Sequence, residues 1–196
     1  MIHLLMQIIS GKVRGKKLEL IYGDKTRPTI GRVRESIFGI IGRKVRGATV
    51  LDLFAGTGAY GAECLSRGAK HVVLSDIDPL AYQTIKKNTE FAKHQTEVHS
   101  KDYKELLEML GGEIAAGKRE PFSLVFLDPP YDTEFGIHAT TYLIQNKMLA
   151  PNATIIFETD KDLDDKSPFH EKLPSQGLTI DTRNYGRAKT YIVTIG

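Results

Sequence analysis

Thr49-Val50-Leu51-Asp52-Leu53-Phe54-Ala55-Gly56-Thr57-Gly58-Ala59-Tyr60-Gly61 passes from a largely apolar run into three glycines within six positions. Gly56, Gly58 and Gly61 reproduce the G-x-G-x-x-G spacing, and a helix-compatible stretch follows as far as Ser66, where Gly68 ends it. A loop of this kind turns tightly and brings backbone amides at a helix N-terminus close to a ligand. Asp76 stands twenty residues beyond Gly56, at the end of a second apolar run, His71–Ser75. That is where an acid accepts ribose hydroxyls in nucleotide-binding strand–helix units.

Outward from this segment the chain alternates strand and helix. The pattern predicts a helix from about Pro79 to Lys93, a short strand at Glu97–His99 and a helix over Tyr103–Leu110. Gly111–Glu120 reads as a polar, mobile connection. A buried strand at Phe122–Leu127, a helix near Ile137–Asn146 and a strand at Ala153–Phe157 follow. Asp160–Asp165 is a charged, solvated stretch, and Thr179–Tyr185 with Thr190–Ile195 reads as a terminal hairpin. Upstream, Met6–Ile9 and Leu18–Ile21 flank Gly11-Lys-Val-Arg-Gly15 as a hairpin or two short strands with a basic loop. Val33, Ile37, Ile40 and Ile41 recur at helical spacing after Thr29, with Arg32, Arg34 and Glu35 on the other face. Continuous rather than alternating apolar strands indicate a mostly parallel sheet with helices on both faces. Ligands of such sheets sit beyond the carboxyl ends of the strands, where Asp52, Asp76, Asp102 and Asp128 fall.

Composition bounds the alternatives. With 196 residues, 41% hydrophobic and 26% charged, the chain has the makeup of a globular protein, not of a disordered or fibrous one. No apolar run approaches the roughly 18 residues of a spanning helix, so no membrane role is expected. MIHLLMQIIS lacks a basic leader and a cleavage site. The single cysteine, Cys64, excludes an intrachain disulfide framework and fits a reducing cytoplasm. The six histidines show no ligand spacing, so no metal is expected. The net charge of +3 conceals a split. Residues 1–48 carry 11 Lys and Arg against 3 Asp and Glu, and the remaining 148 carry 16 against 21. Such asymmetry suggests a polyanion-facing part on a more acidic body. It divides the chain into a basic extension, residues 1–47, and a more acidic catalytic or binding body, residues 48–196.

Asp52 separates the glycine loop from the dinucleotide case. A carboxylate four residues before Gly56 would oppose a pyrophosphate, whereas it suits a ligand with ammonium and sulfonium centres. The segment resembles motif I of the class I methyltransferases that use S-adenosyl-L-methionine and release S-adenosyl-L-homocysteine. The resemblance implies a Rossmann-like seven-stranded sheet with a C-terminal β-hairpin. It further implies that Asp52 and Phe54, Ala55, Gly56, Thr57 and Gly58 surround the methionine end of the cofactor. Asp76 would take the ribose hydroxyls, and Ile77 would lie against the adenine. Asp102 would accept from the adenine amino group, beside the backbone amide of Tyr103. A turn or helix-cap carboxylate is the plainer reading of Asp102.

Asp128-Pro129-Pro130-Tyr131 stops the strand Phe122–Leu127. Two prolines fix a rigid turn and supply no N–H. A buried Asp128 carboxylate and an exposed Pro129 carbonyl would offer two acceptors to the two N–H donors of an exocyclic amine, with Tyr131 stacking on the base. The tetrapeptide resembles the (Asp/Asn)-Pro-Pro-(Tyr/Phe) motif of methyltransferases that act on exocyclic amines of nucleic-acid bases.

Ile8-Ile-Ser-Gly-Lys-Val-Arg-Gly-Lys-Lys-Leu18 and Arg27-Pro-Thr-Ile-Gly-Arg-Val-Arg-Glu-Ser-Ile-Phe38 carry the resemblance further. With Leu65-Ser-Arg-Gly-Ala69 and Tyr185-Gly186…Thr190, they resemble the RsmD family of bacterial 16S ribosomal RNA guanine-N2 methyltransferases, from about Met6 to the end. Ser10, Ile30-Gly31 and Asp76 depart from that family's usual Gly, Thr-Asp and Glu. Residues 1–5 precede its usual start, which makes Met6 a candidate initiator. The implied substrate is one guanine of 16S rRNA, within the small ribosomal subunit or its precursor, acted on by a monomer. Arg14, Lys16, Lys17, Arg27, Arg32 and Arg34 are then expected to hold phosphates while the base is extruded. An adenine-N6 methyltransferase on DNA or RNA could use the same tetrapeptide. An NAD(P)-dependent oxidoreductase and a non-catalytic RNA-binding module are the more distant alternatives.

Overall fold

A computed structural model describes residues 6–21, 28–163, 177–186 and 188–196, with the side chains of 28–30 outside that set. Arg27 and residues 164–165 of the charged stretch lie outside the described residues. The elements are α1 (Pro28–Ile41), β1 (Thr49–Asp52), α2 (Ala59–Ser66), β2 (His71–Ser75), α3 (Pro79–Thr89), β3 (Thr96–His99), α4 (Tyr103–Ala115), β4 (Phe122–Leu127), α5 (Phe135–Gln145), β5 (Leu149–Thr159), β6 (Leu178–Tyr185) and β7 (Ala188–Ile195). The seven strands are ordered β3-β2-β1-β4-β5-β7-β6. The pairs β1–β2, β2–β3 and β4–β5 are parallel, and β7 runs antiparallel to both β5 and β6. The expected α/β class, the parallel body and the terminal hairpin are all present.

The chain forms two compact units, residues 1–101 and 102–196. In the first, Val50, Leu51, Val72, Val73 and Leu74 are fully buried, as strands covered on both faces require. Gly61 allows α2 to lie against β2, because a Cβ there would stand 2.4 Å from Leu74 Cδ2. Asp78 caps α3 by accepting from Leu80 N–H at 2.8 Å, and Pro79 takes the first helical position. That helix ends at Thr89 instead of Lys93; a 3-10 turn over Glu90–Gln95, kinked at Ala92, completes the connection.

Cys64 is fully buried, and burial, reinforced by Asp52 and Glu63, raises its thiol pKa well above the ordinary value. The folded protein should therefore resist a disulfide thiol reagent and react only as urea unfolds it. Prompt reaction in buffer would contradict this.

In the second unit Phe122, Leu124, Val125 and Ile155 are fully buried, and Tyr191 and Val193 of β7 join them. One expectation fails here. The helix continues through Gly111 and Gly112 to Ala115, so the polar connection begins only at Ala116. Gly111 packs on Met148, the residue before β5, where a Cβ would stand in ordinary contact, 3.4 Å from Met148 Sδ. The leucines at 106, 107 and 110 are buried along the same stretch, and tertiary burial overrides glycine's low helix propensity. β5 is longer than expected, and a register shift between Phe122 and Leu124 absorbs its extra residues.

Before α1, residues 6–18 double back on themselves. Gln7 and Lys17 form an isolated antiparallel bridge, flanked by Ile8 N–H to Lys16 O at 2.9 Å and Leu18 N–H to Met6 O at 2.9 Å. The hairpin pairing goes no further because the Ile9 and Ser10 amides donate to the Glu63 carboxylate instead.

Candidate active site

In the first unit the candidate carboxylates Asp52 and Asp76 both pair with amides of the loop and helix that follow β1. Asp52 is 3% exposed, and its Oδ2 accepts from Gly61 N–H at 3.0 Å. A carboxylate placed against the first turn of α2 is favoured by the orphan amides there. Gly56 and Gly58 have φ of +53° and +74°, which glycine adopts without strain. Gly58 N–H closes the turn onto Ala55 O at 2.7 Å, and Ala55 N–H reaches Ser75 O at 2.9 Å. Asp76 spans the mouth of the loop: Oδ2 accepts from Gly56 N–H at 2.9 Å and Oδ1 from Asp78 N–H at 3.0 Å.

These residues fit the methyl donor that the motif implies. A Cβ at Gly56 would meet nothing within 4 Å, so the backbone there lies open to an approaching ligand. Phe54, Ala55 and Gly56 are half-buried, while Thr57 and Gly58 are buried. Next to Asp76, Ile77 is 68% exposed and Leu80 52% exposed, an apolar platform beside a carboxylate. A ribose joined to a flat base matches that pairing of chemistries.

In the second unit Asp102 caps α4, with Oδ1 accepting from Lys104 N–H at 2.9 Å. The plainer reading of this residue is thus what its contact displays, and the other carboxylate oxygen takes no part in the cap. The Tyr103 ring is buried against Phe135 at 5.0 Å and edge-on to His138 at 5.6 Å. Desolvation, with Asp102 adding to it, raises its phenol pKa.

Asp128-Pro129-Pro130-Tyr131 leaves the end of β4 as a closed turn. Thr133 Oγ1 donates to Pro130 O at 2.7 Å, Lys161 Nζ donates to Thr133 O at 3.3 Å, and Asp132 takes the left-handed region at φ +64°. Asp128 is exposed and Pro129 buried, the reverse of the expected burial. At the strand exit the carboxylate keeps contact with solvent, which spares it the desolvation that burial of a charge would impose. Tyr131 is 57% exposed, as a stacking ring must be before it meets a base.

Sequence reasoning missed the groove between α4 and α5. Tyr103, Phe135, His138 and Tyr142 line it with Lys104, Glu134 and Gln145, enclosing about 620 Å³. The signal was available in the 135, 138, 142 spacing along one face of α5, but without structure that stripe reads as core. Among the described residues, no His, Cys, Asp and Glu cluster is arranged to hold a metal ion, and no helix is long and apolar enough to cross a membrane.

Of the cations expected to meet RNA, Arg14, Lys16, Lys17 and Arg32 are exposed. Arg34 is not: it is 4% exposed, and Nη2 donates to Gln7 O at 2.6 Å. The expected helix face was rotated. Arg34 shares the inward side of α1 with Ile37, Phe38 and Ile41, while Ile40 is 41% exposed. Burial lowers the Arg34 pKa, and the nearby Glu63 charge works against that shift. Its place here is structural, and it does not present a phosphate contact.

The strand order, the glycine loop after β1 and the acid after β2 define the fold of the class I methyltransferases. A solved structure from Escherichia coli, the yhhF protein described as a candidate methyltransferase, superposes with a TM-score of 0.77 at 26% identity, covering 97% of this chain and 98% of that one. The family model described as Conserved hypothetical protein 95 matches residues 6–194, and the chain belongs to that family, the RsmD family. A Bacillus subtilis relative described as a candidate rRNA methyltransferase, YlbH, is 39% identical over 81% of this chain and 85% of its own. Ribosomal RNA small subunit methyltransferase D of Haemophilus influenzae is 35% identical over 80% of both chains.

Proposed function

We propose that this protein transfers a methyl group from S-adenosyl-L-methionine to the exocyclic N2 amine of a guanine in 16S rRNA. The observation that carries the reading is the Asp128–Tyr131 turn, with an exposed carboxylate and an exposed ring on a frame closed by Thr133 and Lys161. The names of the ribosomal relatives support the RNA and the small subunit. The bound cofactor supplies an electrophilic methyl on a sulfonium. Asp52 and Phe54–Gly58 would hold its methionine end, Asp76 its ribose, and Ile77, Asp102 and the Tyr103 amide its adenine.

The chain's own chemistry is positional. Asp128 accepts from one amine hydrogen, and the Pro129 carbonyl, in a residue buried before substrate arrives, would take the other, which would turn the nitrogen lone pair toward the methyl carbon. Tyr131 stacks on the guanine, and Asp128 accepts the proton that the methylated amine loses. Placement and exclusion of water carry most of the acceleration, because no strong base is needed for a nitrogen so oriented.

Residues 1–47 act in this reading as the RNA grip on a catalytic body, in the cytoplasm. Incubation of small ribosomal subunits lacking the modification with labelled S-adenosylmethionine tests it: N2-methylguanosine should appear in 16S rRNA. N6-methyladenosine instead would move the protein to the adenine class, and no transfer to RNA would reject the proposal. Arg14→Glu and Arg32→Glu should weaken RNA binding and reduce its salt slope by about one charge each, leaving S-adenosylhomocysteine affinity unchanged. Equal loss of both affinities would reject the division of labour.

A further inference from the structure

The basic hairpin is fastened to its unit by two buried polar side chains that have no role in the chemistry above. Glu63 of α2 is fully buried. Its Oε2 accepts from Ile9 N–H at 2.7 Å, and its Oε1 accepts from Ser10 N–H at 3.0 Å and Arg67 Nε at 2.7 Å. Ser66 extends the clasp: Oγ donates to Ser10 O at 2.7 Å and accepts from Val13 N–H at 3.2 Å, and its carbonyl accepts from Lys12 N–H at 2.8 Å. Gly11 permits the approach, since at φ +92° a Cβ would stand 2.1 Å from Ser66 O.

Asn88 of α3 forms the second clasp and is 2% exposed. Its Oδ1 accepts from Glu19 N–H at 2.7 Å, and its Nδ2 donates to Glu19 O at 3.0 Å and to Thr57 O at 2.8 Å. One amide thus joins the second arm of the hairpin to the glycine loop. Thr57 Oγ1, 3.6 Å from Met6 Sδ, touches the first arm. Buried polar groups so fully paired specify a unique placement, because any other leaves donors and acceptors unmet in a dry interior.

We propose that Glu63 and Asn88 are positioning residues for the RNA substrate: they hold Arg14, Lys16 and Lys17 at a fixed place relative to the glycine loop. A phosphate gripped by the hairpin is thereby set at a defined distance from the methyl donor. The proposal rests on the RNA reading above and adds to it the residues that register the grip. Glu63 should act on RNA alone, whereas Asn88, which also holds Thr57 O, should act on RNA and cofactor together.

The test combines steady-state methyl transfer to small subunits, direct RNA binding, S-adenosylhomocysteine binding and amide exchange at Ile9, Ser10 and Val13. Glu63→Gln turns one acceptor into a donor facing N–H groups. It should speed exchange at Ile9 and Ser10 and raise KM for RNA by about tenfold, the scale of one lost hydrogen bond to a charged group, with kcat and cofactor affinity within about twofold. Asn88→Asp sets a carboxylate against two carbonyls and should weaken both ligands. Ser66→Ala keeps the buried charge balance and loosens only Ser10 and Val13, so it carries the test if Glu63→Gln fails to fold. Faster exchange with unchanged RNA affinity in either α2 variant overturns the proposal, as does a matching loss of cofactor affinity in Glu63→Gln. A wild-type protein that binds RNA without methylating it fails the reaction reading alone, and the variants' RNA affinities still decide the clasp. A wild-type protein that does not bind RNA overturns both.

Discussion

Asp128→Ala is expected to give a folded protein that binds S-adenosylhomocysteine normally and transfers methyl groups slower by on the order of 10²–10⁴, the range lost when a positioned proton acceptor is removed. The fold should be indifferent because Asp128 is exposed beyond the last residue of β4, and the turn is closed by Thr133, Pro130 and Lys161. The chemistry should not be, because alanine removes the acceptor that turns the amine. Asp128→Asn separates the two parts of that role. The amide keeps a carbonyl oxygen for one amine hydrogen but neither the charge nor an easy site for the released proton, so its rate should lie between alanine and wild type. Single-turnover methyl transfer with saturating cofactor and substrate reads both variants. Wild-type rates in Asp128→Ala would remove the tetrapeptide from the mechanism, and matching loss of S-adenosylhomocysteine affinity would move Asp128 into the cofactor site.

The parallel body was legible because buried strands announce themselves. Val72-Val73-Leu74 and Leu124–Leu127 are continuous apolar runs stopped by Ser75-Asp76 and by Asp128-Pro129. Asp52 and Asp76 were legible from their spacing around the glycine loop, four residues before Gly56 and twenty after it, and the amides of Gly61 and Gly56 pair them there. What was not legible depends on rotation and on pairing at a distance. Arg34 lies one residue from Val33, and a charge beside an apolar stripe reads as solvated until a carbonyl such as Gln7 O is brought to it. The same blindness applies to Glu63 and Asn88, which look like ordinary helix-surface residues beside Ala62 and Lys87. Only the chain returning from residues 6–19 explains why both are buried. Gly111-Gly112 misled in the other direction, since local propensity favours a break and packing against Met148 favours continuation.

This division bears on the basic segment. Arg14, Lys16 and Lys17 are exposed and cheap to place, whereas the backbone that carries them is tied down by two buried side chains. Long lysine and arginine side chains lose entropy when a phosphate orders them. Fixing the backbone beforehand lowers what remains to be ordered on binding, which is why loosening the clasp should appear in RNA affinity before it appears in the chemical step.

Gly61→Ala is expected to be among the most destabilising single-methyl changes available in the first unit, at about 1–3 kcal/mol, the range for an overpacked core. Its φ is unremarkable, so backbone strain is not the reason; the added Cβ would stand 2.4 Å from Leu74 Cδ2, 3.0 Å from Leu74 Cγ and 3.2 Å from Val72 Cγ1. Leu74 is fully buried on β2, in an interior packed at native density. Leu74→Ala alone should cost about 2–5 kcal/mol by opening a cavity. Combined, the two changes should cost less than their sum by about 0.5–3 kcal/mol, because the new methyl occupies space that the leucine has vacated. Urea unfolding of the four proteins closes the cycle. Additive costs would mean that α2 shifts away from the sheet to admit the methyl, and Asp52 would then lose its Gly61 amide and cofactor affinity would fall in Gly61→Ala. A coupled cycle with unchanged S-adenosylhomocysteine affinity would assign the third glycine of the loop to helix–strand contact, leaving the ligand to Gly56 and Gly58.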